Sequence, residues 1–211
     1  MATILDGKKV SEKILEELKT DIAGINKILA PVLLRLDIVM VGDNTASRAF
    51  VKKKKQAGAR IDIEVRVHNF PKDIKTNKLR SEVAGLGRDK KVHGIVVQLP
   101  MPAHINEQKI LDAVPAEKDV DVLGYKAAGK FYTNNKEFRI VPSTLAGILR
   151  LLREYEIQDF AGKNVVVVGA GKLVGKPAIN YFMRKEASAS AFNIRSRTAD
   201  KISTLKKADI I

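Results

Sequence analysis

The chain contains no cysteine and no tryptophan, and only 5% of its residues are aromatic. The first absence excludes disulfides, thiolate metal sites and a cysteine nucleophile, and accords with a reducing compartment. The shortage of large rings leaves few platforms on which exposed bases could stack, which weighs against single-stranded nucleic acid as a partner. No apolar run is long enough to span a bilayer, and the opening "MATILDGKKVSEK" lacks the apolar core and small-residue cleavage site of a signal peptide. A soluble, cytoplasmic protein without membrane association is expected. Acidic residues are also scarce: 24 Asp and Glu stand against 38 Lys and Arg, a formal charge of +14. Such an excess points to a polyanionic partner, whether nucleic acid, membrane surface or an acidic metabolite and cofactor. His68, His93 and His104 are scattered without metal-ligand spacing, so no metal is expected.

With 211 residues, 45% of them apolar, the chain can bury a core in one large domain or two small ones. Apolar positions at helical spacing from Lys8 to Ile25 predict an opening amphipathic helix. A strand over Leu33–Val41 follows, then a helix over Thr45–Ala57 with Asn44 as its cap and Gly58 as its stop. "IDIEVRVH", Ile61 to His68, alternates as a half-buried strand does; a polar helix is expected around Lys78–Leu86, and Gly94–Leu99 has the look of a central parallel strand. "GYKAAGKFYTNNKEFR" is rich in Gly, Lys and Asn and reads as a loop or linker from about residue 124. A second unit then begins: a helix from Pro142 to about Tyr155, a strand Asn164–Val168, a glycine-rich turn and helix, the strand "ASAFNI", a helix Thr198–Lys207, and "ADII" opening a third strand. The expected fold is α/β with two domains, residues 1–141 and 142–211. Each has a parallel-type sheet with flanking helices, and the second is Rossmann-like and cut at the third strand of its first half.

Three stretches could carry chemistry. In "VVVVGAGKLVGKP" Gly169, Gly171 and Gly175 sit where a strand turns into a helix, so that backbone N–H groups can approach a pyrophosphate. Ala170, Lys172 and Val174 complete that turn. After the next strand, where an NAD site would offer an acidic residue, stand Arg195, Ser196 and Arg197, donors that suit a 2′-phosphate; NADP is favoured, with NAD possible. The run "SRAFVKKKKQAGA" holds four consecutive lysines, usually a solvated face. On a helix only Lys54 shares a face with Phe50 and Ala57, and a crowd of like charges works against the ammonium form, so a proton-accepting amine is accessible there. Gln98, an amide at the end of an apolar strand, and Asp121 in "EKDVDVLG" lie where α/β sheets place ligands; Asp119 competes with Asp121 for the carboxylate role.

In their order, "VGDNTAS", Lys54, "GIVVQLPMP", "EKDVD", "PSTLAG" and "VVVVGAGKLVGKP" resemble the methylenetetrahydrofolate dehydrogenase/cyclohydrolase family. The resemblance spans essentially the whole chain. It implies NADP-dependent oxidation of 5,10-methylenetetrahydrofolate to the methenyl cation, and hydrolysis of that cation to 10-formyltetrahydrofolate. It makes Lys54 the proton-transfer lysine, Gln98 its hydrogen-bond partner and Asp121 the carboxylate that holds the pterin. Phe50, Ser47, Leu99 and Pro100 then fall in the folate pocket. A homodimer is implied too, with folate on the first domain, nucleotide on the second and the active site in the cleft. The chain departs from the family in four places: Phe50 replaces a tyrosine, Ala170 an arginine that Arg195 and Arg197 would have to replace, Val122 a glycine, and "PSTL" stands for "PCTP". A basic nucleotide- or nucleic-acid-binding protein of the same fold, without folate catalysis, is the second reading.

Overall fold

A computed structural model describes residues 3–211, which divide into two compact units. The larger holds Lys8–Ile140, and the smaller holds Val141–Ile211 together with the described residues up to Gly7. The opening segment therefore goes with the second unit, not with residues 8–140. The Asp6 N–H anchors it by donating to the Tyr155 hydroxyl at 2.7 Å.

In the larger unit, α1 (Gly7–Leu29) buries Val10 and Ile22 from its apolar stripe. Strand β1 (Arg35–Val41) lies between β2 (Glu64–Phe70) and β3 (Gly94–Val97), all parallel. Parallel strands need cover on both faces, and β1 alternates to supply it. Ile38 and Met40 pack with Val96 and with Val51 of α2 (Thr45–Arg60). Val39 and Val41 face Leu79 and Val83 of α3 (Thr76–Arg88) and Ile110 and Leu111 of the short α4 (Glu107–Leu111). Burying each such Leu or Ile contributes about 2 kcal/mol.

Among the differences from expectation, three have a physical reason in the contacts. Gly58 does not stop α2; it is needed because a Cβ there would lie 2.4 Å from Val65 Cγ2, so the helix could not pass β2 with a larger residue. Strand β2 starts at Glu64 and not at Ile61, because the N–H groups of Ile61 and Ile63 both donate to the Gly58 carbonyl and the chain is still leaving the helix. The stretch read as a linker holds a helix, α5 (Tyr125–Tyr132), which buries Ala127 and Phe131 four residues apart on one face.

The smaller unit runs α6 (Ser143–Glu154), β4 (Asn164–Val168), α7 (Gly175–Arg184), β5 (Ser188–Phe192) and α8 (Thr198–Leu205). Strands β4 and β5 pair in parallel, and on the other edge of β4 the "ADII" segment meets it at a single bridge, Val165 with Ile210. Helix α7 packs on both strands, and Phe160 meets Phe182 edge to face at 5.0 Å.

Candidate active site

Helix α2 begins where the Asn44 side chain accepts the Ser47 N–H at 3.0 Å, the cap its sequence predicts. This start fixes the helical phase. Of the four lysines, Lys52, Lys53 and Lys55 are exposed and Lys54 alone is half-buried. Its Nζ donates to Gln98 Oε1 at 3.3 Å. Gln98 is the first residue beyond β3, held to the sheet by its N–H on the Val39 carbonyl at 2.8 Å. Its Nε2 donates to the Leu99 carbonyl at 2.9 Å. A carbonyl can only accept, so the amide nitrogen must face Leu99 and the amide oxygen is left for the lysine.

The Leu99 carbonyl also accepts from Ser47 Oγ at 3.4 Å, and Ser47 is 3% exposed, so its hydroxyl ties the start of α2 to the loop after β3. Lys54, Gln98, Leu99 and Ser47 thus form one connected chain at the carboxyl ends of the strands. Phe50, one turn before Lys54, is 59% exposed, leaving its ring free to meet a ligand. Pro100 lines a cavity of about 420 Å³ with Met101 and with Gly42, Asp43 and Asn44 of the loop after β1.

Asp119 and Asp121, which the sequence does not separate, have different surroundings. Asp119 is 4% exposed, and its Oδ2 accepts the N–H groups of Leu123 at 2.9 Å and Gly124 at 2.8 Å. Burial pushes its carboxyl above the ordinary value; the N–H groups of Gly124, Leu123 and Val122 pull it down, and nearby Asp121 adds to the rise. Asp121 is half-buried, two residues after the Ile95–Asp119 bridge beside β3. Its neighbour Val122 sits at φ 57°, in the left-handed region that β-branched residues rarely adopt.

In the smaller unit the glycines of the turn after β4 do three different things. Gly169 adopts φ +108°, and a Cβ on Gly175 would lie 2.0 Å from the Gly169 carbonyl, so the start of α7 can approach the turn only without one. A Cβ on Gly171 would meet nothing within 4 Å. The turn is therefore open at Gly171; the Lys176 N–H donates back to the Gly171 carbonyl at 3.0 Å, and Val174, which precedes α7, makes no side-chain cap. Ala170 is half-buried and Lys172 exposed. Beyond β5, Asn193 Oδ1 accepts the Arg195 N–H at 2.8 Å and Ser196 Oγ accepts the Asn193 N–H at 3.0 Å, which shapes a turn with Arg195 and Arg197 both exposed. A turn without a side chain at Gly169, Gly171 and Gly175 and two exposed guanidinium groups fit a phosphorylated dinucleotide.

One cluster escaped the sequence reading. Arg35 and Asp37, two apart on β1, are both buried and share a bidentate pair at 2.7 and 3.0 Å, with Arg35 also reaching Asp89 and His68 Nε2 lying 2.8 Å from Asp37 Oδ2. Opposite charges at i and i+2 inside an otherwise apolar strand were the available signal.

Comparison with known proteins gives the family. Residues 5–121 match the family model described as the tetrahydrofolate dehydrogenase/cyclohydrolase catalytic domain, and residues 142–211 the one described as its NAD(P)-binding domain. The Bifunctional protein FolD of Hydrogenobaculum sp. is 37% identical over 208 residues, covering 99% of this chain and 72% of the relative. The crystal structure of the bifunctional FolD enzyme of Campylobacter jejuni superposes with a TM-score of 0.91 at 34% identity, over 99% of this chain and 72% of that one. A Trypanosoma brucei dehydrogenase-cyclohydrolase, complexed with NADP cofactor and inhibitor, gives 0.93 at 26% identity, over 100% and 71%. Both family domains are matched in their order, and the α/β fold is the one the relatives have: the chain belongs to the tetrahydrofolate dehydrogenase/cyclohydrolase family.

Proposed function

We propose that the chain is a bifunctional one-carbon folate enzyme: it oxidises 5,10-methylenetetrahydrofolate to the methenyl cation with NADP+, then adds water to give 10-formyltetrahydrofolate. The observation that carries this reading is the Lys54–Gln98 hydrogen bond at the carboxyl ends of β1 and β3. Water attacking a methenyl carbon must lose a proton, and an amine at that place can take it. Gln98 Oε1 orients Lys54 Nζ, and the Leu99 carbonyl in turn fixes the amide of Gln98. Asp121 holds the pterin by accepting paired N–H groups, and the exposed ring of Phe50 stacks on the substrate.

Gly169, Gly171, Gly175, Arg195 and Arg197 would hold the nucleotide, the two arginines favouring the 2′-phosphate. When bound, NADP+ supplies the hydride acceptor. Assembly as a homodimer and a cytoplasmic location belong to the same reading. No helix among the described residues is long and apolar enough to cross a membrane.

The test compares wild type with Lys54→Met, following absorbance of the methenyl product from methylenetetrahydrofolate with NADP+ or NAD+. Loss of hydrolysis by about a hundredfold or more in the variant is expected; unchanged turnover removes the mechanism.

A further inference from the structure

We propose that Asp119 is a positioning residue for Asp121, its carboxylate closing the turn from which Asp121 is presented. The inference rests on the reading above that Asp121 holds the folate ring.

The segment enters as a would-be fourth strand: the Ile95 N–H donates to the Lys118 carbonyl at 2.7 Å, and Ile95 and Asp119 form a parallel bridge. It goes no further as strand. The Asp119 carbonyl accepts the Val122 N–H at 3.2 Å, an i to i+3 bond that makes Val120 and Asp121 the two central residues of a turn. The same residue's carboxylate then takes the next two N–H groups, those of Leu123 and Gly124. Asp119 thus grips the backbone beyond Asp121 at three successive amides.

Both neighbours of Asp121 are held as well. Val120 packs in the cluster with Val51 of α2 and Val96 of β3, and Val122 is 6% exposed. What the packing does not supply is a reason for Val122 to stand at φ 57°, a backbone that a β-branched residue resists. The three bonds to Asp119 impose it. A glycine would take such a φ without strain; with valine at this place the grip of Asp119 has to do what glycine's freedom would. Gly124 makes the grip possible, since a Cβ at that residue would lie 3.3 Å from Asp119 Oδ2 and 2.9 Å from the Leu111 carbonyl.

The experiment uses the full chain and four variants: Asp121→Asn, Asp119→Asn, Asp119→Asn with Val122→Gly, and Gly124→Ala. Three quantities are read: the Kd for tetrahydrofolate without nucleotide, KM for methylenetetrahydrofolate, and KM for NADP+. Asp119→Asn is expected to weaken both folate constants about tenfold, as loss of one charged acceptor does, and to leave KM for NADP+ within twofold. Adding Val122→Gly should recover at least about a threefold part of that loss, because glycine adopts the turn unaided. A merely structural role for Asp119 would not be rescued by removing a buried side chain. Unchanged folate constants in Asp119→Asn, with weakened ones in Asp121→Asn, overturn the positioning role alone. Unchanged constants in Asp121→Asn overturn the reading of Asp121 and this inference with it. If Asp119→Asn fails to fold, Gly124→Ala decides: weaker folate binding supports the grip, and wild-type folate constants refute it.

Discussion

Gln98 meets Lys54 with its oxygen and Leu99 with its nitrogen, so a single side chain spends both ends of its amide on fixing one amine. Replacing Gln98 with Leu keeps the volume and removes both bonds. Hydrolysis of the methenyl substrate should fall by about ten- to a hundredfold, while the melting transition stays cooperative. Rates within twofold of wild type, measured by loss of methenyl absorbance, would show that the amide does not serve the lysine.

The turn after β4 offers a paired test. Gly175→Ala places a methyl 2.0 Å from a backbone carbonyl, so α7 must move and both stability and NADP+ affinity should drop. Gly171→Ala places its methyl in open space, so stability should stay within about 1 kcal/mol of wild type while KM for NADP+ rises, because the space is where a phosphate group would come. Equal stability losses in the two variants, by urea unfolding, would contradict this division of labour.

In the larger unit, Asp37 is held by Arg35 and faced by His68 in a buried setting. Asp37→Ala leaves the buried guanidinium with Asp89 as its remaining carboxylate partner and should cost about 3 kcal/mol, whereas Arg35→Met with Asp37→Leu removes the buried pair and should cost less. Chemical denaturation of the single and double variants settles the order. A single variant as stable as the double one would mean that the pair is not desolvated.

At residue 122 the usual ranking of small residues should invert. Alanine is normally more stable than glycine by about 1 kcal/mol, but at φ 57° the left-handed backbone reverses it. Val122→Gly should therefore unfold at higher urea than Val122→Ala. The opposite order would mean the turn does not hold residue 122 in that conformation.

The buried Asp119 carboxyl also gives a pH signature. Its folded value is raised, by desolvation first, so the native state binds that proton more tightly than the unfolded chain does. The stability tied to that proton is present below the ordinary aspartate value and is lost as pH rises through the raised one. The urea midpoint of wild type minus that of Asp119→Asn should decline across that window and level off above it. A difference that grows with pH would refute the sign.

Much of this molecule was legible beforehand, and the exceptions share a cause. Helical phase alone sets Lys54 apart from Lys52, Lys53 and Lys55, because Phe50 and Ala57 lie three or four residues away on the same face. Asn44 announced the start of α2 because capping is local. Helix α5 was hidden by its composition: Gly129, Lys126 and Lys130 outweigh Ala127 and Phe131 in any reading by content, and only the burial of those two residues within the larger unit selects the helix. The distinction between Asp119 and Asp121 was equally invisible, since it depends on which carboxylate turns back toward the N–H groups of residues 123 and 124. Gly58 looked like a terminator for want of any sign that Val65 passes so near.

The hydrogen bond from Asp6 to Tyr155 joins groups separated by 149 residues. A ribosome delivers the first of them early and the second only after the whole larger unit has emerged, so the smaller unit is discontinuous in time as well as along the chain. An excised piece spanning 142–211 would leave that tether behind, and limited proteolysis near residue 7 should loosen the distant unit before the adjoining one.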